Sequence, residues 1–269
     1  MQEPDLILRK NTDNDAGWSL CAGFTVIAGP CAVESRESLM EIAHLVSEEG
    51  IKIMRAGVFK PRTSPYSFRG LGENALLMLS EVKERFRLQV VSEVMSAEHI
   101  QIMSPVIDIF QVGSRNMFNY TLLEAVGGAG RPILLKRGMM ASIREFLWSA
   151  EYIALAGERR IILCERGIRG FDTETRNLLD LSAVPILKER TYLPVIVDPS
   201  HGTGRRELVI PMARAAMAAG ADGVMVEIHP EPDRALSDGR QALDFTGFRR
   251  LMRELRALSR ALSETTEEV

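Results

Sequence analysis

The sequence predicts an α/β fold, a single-domain (β/α)8 TIM barrel with a short N-terminal extension, on three observations. Eight short apolar segments rich in β-branched residues recur along the 269-residue chain, and longer amphipathic segments separate them. The short segments lack regular polar alternation, which is typical of parallel strands buried on both faces. A chain of this length that repeats β-then-α units is normally one barrel domain.

The predicted strands are short, and the helical segments between them have recognisable ends. The strands are Phe24–Gly29, Ile51–Gly57, Leu88–Val94, Ile107–Gly113, Pro132–Gly138, Arg160–Gly167, Leu193–Ser200 and Asp222–Pro230. The first helical segment has Ser35 as its predicted N-cap and Gly50 as its stop. An open doubly wound sheet is the alternative fold, but the GxGxxG motif that usually opens its first helix is missing.

The strand pattern also sets the domain boundaries. Residues 1–23 precede the first predicted strand, and we expect them to form a plug or hairpin beneath the barrel. The barrel is expected over 24–262, and the acidic residues 263–269 are expected to form a frayed tail.

Composition and charge indicate a globular protein and argue against several other classes. Apolar residues make up 46% of the chain and charged residues 26%, as in ordinary soluble proteins. The net charge of −3 argues against a general nucleic-acid binder. The sequence has neither an apolar stretch long enough for a membrane span nor the core of a signal peptide. Three scattered cysteines favour a cytoplasmic protein with reduced thiols, with Cys21 and Cys164 as core residues.

Positive charge is concentrated where the predicted strands end, above all in the loop FKPRTSPYSFRG after the second strand. The strand-end cations are Arg55, Lys60, Arg62, Arg115, Lys136 and Arg166. Active sites of such barrels lie in the loops that follow the strands, so these cations should meet at one mouth. They would repel one another unless an anion lies among them, and arginine binds phosphate and carboxylate groups well. The alternative, that each cation pairs with a nearby helix carboxylate, is weakened by their number.

A second set of strand-end residues has metal-binding chemistry. Cys31, His201 and Glu227 follow strands 1, 7 and 8, which are neighbours in a closed barrel. A thiolate, an imidazole and a carboxylate are typical ligands of a transition metal. The candidates for a fourth ligand are Asp198, Asp233 and Asp238. Asp198 could instead orient His201, and Cys31 taken alone would more often be an ordinary buried residue.

The motifs around these residues occur in the order found in one enzyme family. They are GPCAVES, MRAGVFKPRTSPYSFRGLG, QVGSRNMFN, LLKRGM, ERGIRGF, DLSAVP, VDPSHGTGRR and VEIHPEPDRALSDGRQ. On these motifs the chain resembles the class I 3-deoxy-D-arabino-heptulosonate 7-phosphate synthases of the short β-type. That group shares a superfamily with the 3-deoxy-octulosonate 8-phosphate synthases. The resemblance extends from Phe24 to Leu258 and implies a (β/α)8 barrel.

The resemblance also implies an activity and a set of site residues. The reaction would condense phosphoenolpyruvate with erythrose 4-phosphate, the first step of the shikimate pathway to aromatic amino acids. One divalent metal ion, Mn, Fe, Co or Zn, would be bound by Cys31, His201, Glu227 and Asp238. Phosphoenolpyruvate would be bound by Arg55, Lys60, Arg115, Lys136 and Arg166. Erythrose 4-phosphate would be bound by Pro61, Arg62, Thr63 and Ser64.

Catalysis and partners are further expectations. The residues expected to take part in catalysis are Lys60, Glu93, Cys31 and His201. The proton-transfer group stays open between Lys60, Glu93 and metal-bound water. We expect the two small-molecule substrates and further copies of the chain, as a homodimer or homotetramer, to be the only partners, with no nucleic acid and no membrane.

Two other activities stay open at this point. A 3-deoxy-octulosonate 8-phosphate synthase would use arabinose 5-phosphate, but the sequence KPRTS resembles the erythrose 4-phosphate enzymes. A Schiff-base phosphosugar aldolase would use Lys136 as its nucleophile.

Overall fold

Eight parallel strands close into one barrel in chain order, from β1 to β8, in the computed structural model of the protein. The structure describes residues 8–9, 20 and 23–266. Strand β1 pairs with β2 on one side and with β8 on the other, and Gly29 lies opposite Glu227 in that last pairing. The predicted (β/α)8 barrel is therefore confirmed, and the open doubly wound sheet is wrong.

Each strand lies inside its predicted segment and is shorter than predicted. The strands are β1 Thr25–Gly29, β2 Ile53–Arg55, β3 Gln89–Val94, β4 Ile109–Val112, β5 Ile133–Lys136, β6 Ile161–Glu165, β7 Val195–Val197 and β8 Gly223–Glu227. The predicted functional side chains lie either at the carboxyl ends of these strands, as Arg55, Lys136 and Glu227 do, or in the segments that follow them.

Helices follow the strands and cover the outside of the barrel. They are α1 Arg36–Glu48, α2 Glu73–Phe86, α3 Ala97–Met103, α4 Tyr120–Gly127, α5 Ile143–Leu155, α6 Ala183–Arg190, α7 Pro199–Thr203, α8 Arg206–Ala218 and α9 Phe245–Thr266. Ser35 caps α1 as predicted, because its side chain accepts the backbone N–H of Ser38 at 3.1 Å. None of the described helices is both long and apolar enough to cross a membrane.

The two ends of the chain differ in how they meet expectation. Helix α9 continues to Thr266, so the expected tail at 263–269 begins within a helix and not after it. The expected plug lies mostly outside the described residues, as does Cys21. Leu20 packs against the apolar cluster inside the barrel, and Leu8 is buried and hydrogen-bonds to Thr191 before β7.

Two apolar clusters hold the barrel together. The larger one fills the layer between the strands and the helices. The smaller one fills the barrel interior and consists of Ile27, Ile53, Val91, Ile109, Leu134, Ile162, Cys164, Ile196 and Met225. All eight strands contribute to this inner layer, so it forms a packed floor beneath the carboxyl ends of the strands.

Gly223 allows β1 and β8 to approach closely, and replacing it by alanine should destabilise the barrel. A Cβ atom at position 223 would lie 2.3 Å from the backbone oxygen of Thr25. We expect Gly223→Ala to lower the free energy of unfolding by about 1–3 kcal/mol, measured by urea unfolding followed by circular dichroism. Gly128→Ala is the control, because a Cβ there makes only ordinary contacts at 3.7 Å or more. Equal stability of the two variants would contradict the prediction.

Candidate active site

The carboxyl ends of the strands surround a cavity of about 300 Å³. Side chains alternate along a strand, so inward-facing residues beyond the apolar floor reach this cavity. On β5, Leu134 belongs to the floor and Lys136 lines the cavity; on β2, Ile53 and Arg55 do the same. Every residue predicted for the site lines the cavity apart from Glu227, which is completely buried.

The four predicted metal ligands converge at one side of the cavity. Each offers a ligand atom, and these atoms all lie within 4.8 Å of one another. Cys31 Sγ is 3.1 Å from Asp238 Oδ2, and His201 Nε2 is 3.3 Å from Glu227 Oε1. Asp233 is instead exposed and pairs with an arginine of α8. Among the fourth-ligand candidates, Asp238 is thus the one that lies with the other three residues.

The chemistry of this cluster fits a divalent cation. Glu227 Oε1 is buried without a hydrogen bond, although Arg55 and His201 approach it at 3.1 and 3.3 Å. Burial, together with the charges of Glu227 and Asp238, raises the pKa of the Cys31 thiol above its ordinary value. A divalent cation between these groups would favour the thiolate, since a coordinated thiol loses its proton. The mixed sulfur, nitrogen and oxygen donors are a set that transition metals accept.

Asp198 lies on the far side of His201 from the other carboxylates of the cluster. Its Oδ2 is 2.8 Å from His201 Nδ1, and its Oδ1 accepts the backbone N–H of His201 at 2.9 Å. Burial lowers the pKa of His201 to about 4, so the imidazole is neutral at neutral pH. With Nδ1–H directed at Asp198, the lone pair of Nε2 faces the cluster. These contacts are those of a residue that orients His201.

Three of the six predicted cations form ion pairs with carboxylates at the barrel mouth. The pairs are Arg55–Glu227 at 3.1 Å, Lys60–Asp238 at 2.8 Å and Lys136–Asp198 at 2.5 Å. These carboxylates follow or end strands β7 and β8, so pairing with outer-helix carboxylates does not explain the cations. Lys60 Nζ also lies 2.5 Å from Cys31 Sγ. Although burial opposes its charge, the anionic groups around Lys60 raise its pKa above the ordinary value.

Arg115 and Arg166 have no carboxylate partner within the described part of the chain. Arg166 is only 4% exposed, and burial lowers its pKa. A buried guanidinium group without a negative partner is unfavourable, so an anion is expected to complete its surroundings. Arg166 is therefore the clearest indication that the cavity binds an anionic group, and the exposed Arg115 lines the same cavity.

Glu93 lies next to the last residue of β3 and faces Lys60 and Lys136. Burial raises its pKa above the ordinary value, although Lys60 and Lys136 oppose the shift. Gln111 donates a hydrogen bond of 3.4 Å to its Oε2. Gly113 leaves room for this carboxylate, because a Cβ there would lie 2.1 Å from Glu93 Oε1.

The loop after β2 reaches across the cavity toward the loop after β8. Arg62 Nη1 donates a hydrogen bond of 2.9 Å to Ser237 Oγ, which in turn lies 3.4 Å from Cys31 Sγ. Thr63 and Ser64 are exposed at the mouth of the cavity. The guanidinium group of Arg62 is therefore fixed beside the metal-type cluster, which consists of Cys31, His201, Glu227 and Asp238. The hydroxyl groups of Thr63 and Ser64 lie at the opening.

The sequence analysis missed several residues of the site. Arg176, from the long loop after β6, lines the cavity and donates a 3.2 Å hydrogen bond to Gln241. Gln241 donates a 2.6 Å bond to Glu227 Oε2, and Ser237 links the two substrate-facing loops. None of them follows a strand directly, so the strand-end pattern contains no signal for them.

A buried charge cluster lies behind the cavity, between the barrel and α6. Arg137 Nη1 donates to Glu165 Oε2 at 2.8 Å and to Asp180 Oδ2 at 2.9 Å. Glu165 is completely buried, and its Oε1 accepts the backbone N–H of Gly167 at 2.5 Å. The cluster thus ties the ends of β5 and β6 together, and Lys136 and Arg166 at these ends line the cavity.

This barrel mouth, with metal-type ligands beside a cavity lined by arginine and lysine side chains, defines a class of barrel enzyme that acts on anionic substrates. A model described as the DAHP synthetase I family matches residues 21–264, and the chain belongs to that family.

Known relatives agree with this assignment. The chain is 55% identical over 239 residues to the phospho-2-dehydro-3-deoxyheptonate aldolase of Thermotoga maritima, covering 89% of this chain and 71% of the relative. A crystal structure of the Thermotoga maritima enzyme, which is also called DAHP synthase, matches with a TM-score of 0.87 and 54% sequence identity. The match covers 89% of this chain and 70% of the chain in that crystal structure. The 2-dehydro-3-deoxyphosphooctonate aldolase of Desulfosudis oleivorans is 33% identical over 270 residues, which cover 93% of this chain and 96% of the relative.

The buried charge cluster should be sensitive to the loss of a single partner. Glu165→Met should lower the free energy of unfolding by about 3–5 kcal/mol, because it leaves the buried charge of Arg137 undercompensated. The double variant Arg137→Met/Glu165→Met removes both charges and should be more stable than the single variant. Urea unfolding of the three proteins checks this, and a double variant that is less stable than Glu165→Met would contradict it.

Proposed function

We propose that this protein condenses phosphoenolpyruvate with erythrose 4-phosphate to give 3-deoxy-D-arabino-heptulosonate 7-phosphate and phosphate. Membership of the DAHP synthetase I family and the identity to the Thermotoga maritima enzyme support this reaction. The observation on which the proposal depends is the cluster of four metal-type ligands beside a cavity that Arg115 and Arg166 also line.

Phosphoenolpyruvate has a phosphate and a carboxylate on a small skeleton, so its binding needs several cations close together. We assign its phosphate to Arg115, Lys136 and Arg166, and its carboxylate to Arg55 and Lys60. The burial of Arg166 without a carboxylate partner among the described residues supports the phosphate end of this assignment, and Arg115 lines the same cavity. The substrate would add its negative charges to a mouth whose other cations already have partners.

Erythrose 4-phosphate would bind nearer the opening. We assign its phosphate to Arg62 and to the hydroxyl groups of Thr63 and Ser64, with Pro61 restricting the loop. The exposure of Thr63 and Ser64 and the fixed guanidinium group of Arg62 support this position. A proline in the loop reduces the conformational freedom that is lost when the substrate binds.

The proposed metal ligands are Cys31, His201, Glu227 and Asp238. Mn, Fe, Co and Zn are all compatible with one thiolate, one imidazole and two carboxylates. When bound, such an ion supplies Lewis acidity at the aldehyde oxygen of erythrose 4-phosphate. The chain itself keeps His201 neutral and oriented through Asp198, so that one ring nitrogen is available as a ligand.

Proton transfer is assigned to Glu93 or Lys60. Carbon 3 of phosphoenolpyruvate attacks the aldehyde, water adds at carbon 2, and phosphate then leaves by cleavage of its C–O bond. The raised pKa of Glu93 supports a role in accepting and returning a proton, because a carboxyl group with an ordinary pKa is a poor acid at neutral pH. The other candidate is Lys60, whose Nζ lies 2.5 Å from Cys31 Sγ and 2.8 Å from Asp238 Oδ2.

The octulosonate alternative has a specific observation in its favour, since curated octonate aldolases are about one-third identical to this chain. The KPRTS loop and the higher identity to the Thermotoga maritima enzyme favour erythrose 4-phosphate. The Schiff-base alternative is disfavoured because Lys136 Nζ is held by Asp198 at 2.5 Å and is not free to attack a carbonyl. A cytoplasmic location and a homodimeric or homotetrameric state stay predictions.

Consumption of phosphoenolpyruvate with erythrose 4-phosphate or arabinose 5-phosphate, with and without a chelator, tests the function. We expect turnover only with erythrose 4-phosphate, and loss of turnover after chelation that added divalent ion restores. Cys31→Ala should abolish the ion-dependent rate, whereas Cys164→Ala, which removes the thiol of the barrel floor, should retain it. Preference for arabinose 5-phosphate, or full activity in chelator, would contradict the proposal.

Arg62→Ala should selectively weaken binding of the aldose phosphate. Loss of a charge-assisted hydrogen bond costs about 1.5–3 kcal/mol, so the KM for erythrose 4-phosphate should rise about 10- to 100-fold. The KM for phosphoenolpyruvate should change little. Arg69→Ala, which removes an exposed cation of the same loop, is the control. A selective rise in the KM for phosphoenolpyruvate would show that the loop serves the other substrate.

A further inference from the structure

Glu34 has a set of contacts that the proposed reaction does not use. It lies in the loop after β1, between Cys31 and the cap of α1, and its side chain is only 12% exposed. It does not line the cavity and is absent from the group of metal-type ligands. A charged side chain that is nearly buried outside the site needs partners, and the contacts of Glu34 all lead to the loop after β8.

One carboxylate oxygen of Glu34 holds the backbone of that loop. Oε1 accepts the N–H of Leu236 at 2.9 Å and the N–H of Ser237 at 3.2 Å. Two adjacent N–H groups are therefore fixed by one charged acceptor, and such bonds are stronger than those between neutral groups.

The other oxygen of Glu34 faces the beginning of the same loop. Oε2 lies 3.4 Å from Nε2 of His229, two residues beyond the end of β8. His229 Nδ1 accepts the backbone N–H of Glu231 at 3.1 Å, which leaves Nε2 as the protonated nitrogen that points to Glu34. Glu34 thus contacts the loop at its start and near its far end, and it fixes the span between them.

The far end of this loop presents two residues to the site. Ser237 accepts a hydrogen bond from Arg62 and lies against Cys31 Sγ. Asp238 directs its carboxylate at the same thiol, from a left-handed backbone conformation with φ of 54°. That conformation is uncommon for residues other than glycine, so the chain around Asp238 must be held in place.

We propose that Glu34 is a positioning residue that sets both the metal-type cluster and the aldose-phosphate end of the cavity through Ser237 and Asp238. Because the same two N–H bonds support both residues, losing Glu34 should loosen ion binding and Arg62 together. The proposed phosphate end of the phosphoenolpyruvate site, Arg115, Lys136 and Arg166, depends on β4, β5 and β6 and should be unaffected. The inference rests on the proposed function for its substrate assignments and not for its contacts.

The test compares Co²⁺ binding by metal-stripped wild type, Glu34→Ala and Glu34→Gln. Thiolate-to-Co²⁺ absorption reports on coordination at Cys31 without any turnover. Loss of a residue that orients metal ligands typically weakens affinity about 10- to 100-fold, and we expect this for Glu34→Ala. Glu34→Gln retains one acceptor oxygen and should show a smaller loss. Glu37→Ala, which removes an exposed carboxylate in the first turn of α1, is the control.

Kinetics provide the second measurement. Glu34→Ala should raise the KM for erythrose 4-phosphate severalfold and raise the KM for phosphoenolpyruvate less, because Lys60 contacts Asp238 whereas Arg115, Lys136 and Arg166 lie on other loops. Thermal unfolding of the metal-stripped proteins identifies a variant that has simply failed to fold, and Glu34→Gln then decides the question. Co²⁺ affinity and both KM values equal to those of Glu37→Ala would overturn the proposal.

The two proposals fail in different ways. A wild-type protein that binds Co²⁺ through a thiolate but does not consume phosphoenolpyruvate with erythrose 4-phosphate would refute the proposed function. The Co²⁺ comparison would still decide whether Glu34 positions the cluster. Conversely, normal turnover in wild type with unchanged Co²⁺ binding in the Glu34 variants would refute this inference alone.

Discussion

The balance of buried charge at the carboxyl ends of the strands is the constraint on which the site depends. Lysine and arginine side chains are brought together inside a barrel, where an uncompensated charge is strongly unfavourable. Carboxylates from β7, β8 and their loops compensate three of these cations. Among the residues that the structure describes, the buried Arg166 has no carboxylate at ion-pairing distance, and an anionic substrate can satisfy this local excess of positive charge. Two of these carboxylates, Glu227 and Asp238, also lie beside Cys31, so the compensation of the cations also creates a place for a metal ion.

The fold could be predicted because its signal is repeated and physical. Each strand is short, apolar and β-branched, and each is followed by an amphipathic segment. The ends were predicted less well. Apolar content does not reveal where the last backbone pairing stops, and α9 continues into residues whose acidic character suggested fraying.

The site could be predicted where function coincides with the end of a strand. Side-chain alternation along the strands predicts that Arg55, Lys136 and Glu227 point into the barrel. The order of strands puts β7 and β1 on either side of β8, which brings His201 and Cys31 close together. The proposed role of Asp238 came from the resemblance, since the residue pattern alone left three aspartates as candidates. Arg176, Ser237 and Gln241 could not be predicted in this way, because their positions depend on irregular loops whose paths are set by long-range contacts.

Gly113 illustrates a different kind of contribution to a site. Gly113 has no side chain, and the carboxylate of Glu93 occupies the volume that a side chain at position 113 would take. The lack of a side chain at position 113 therefore helps to set the position of a charged group at this barrel mouth. An alanine at position 113 would require the end of the Glu93 side chain to move, so a substitution at a residue that carries no charge would displace a carboxylate of the site.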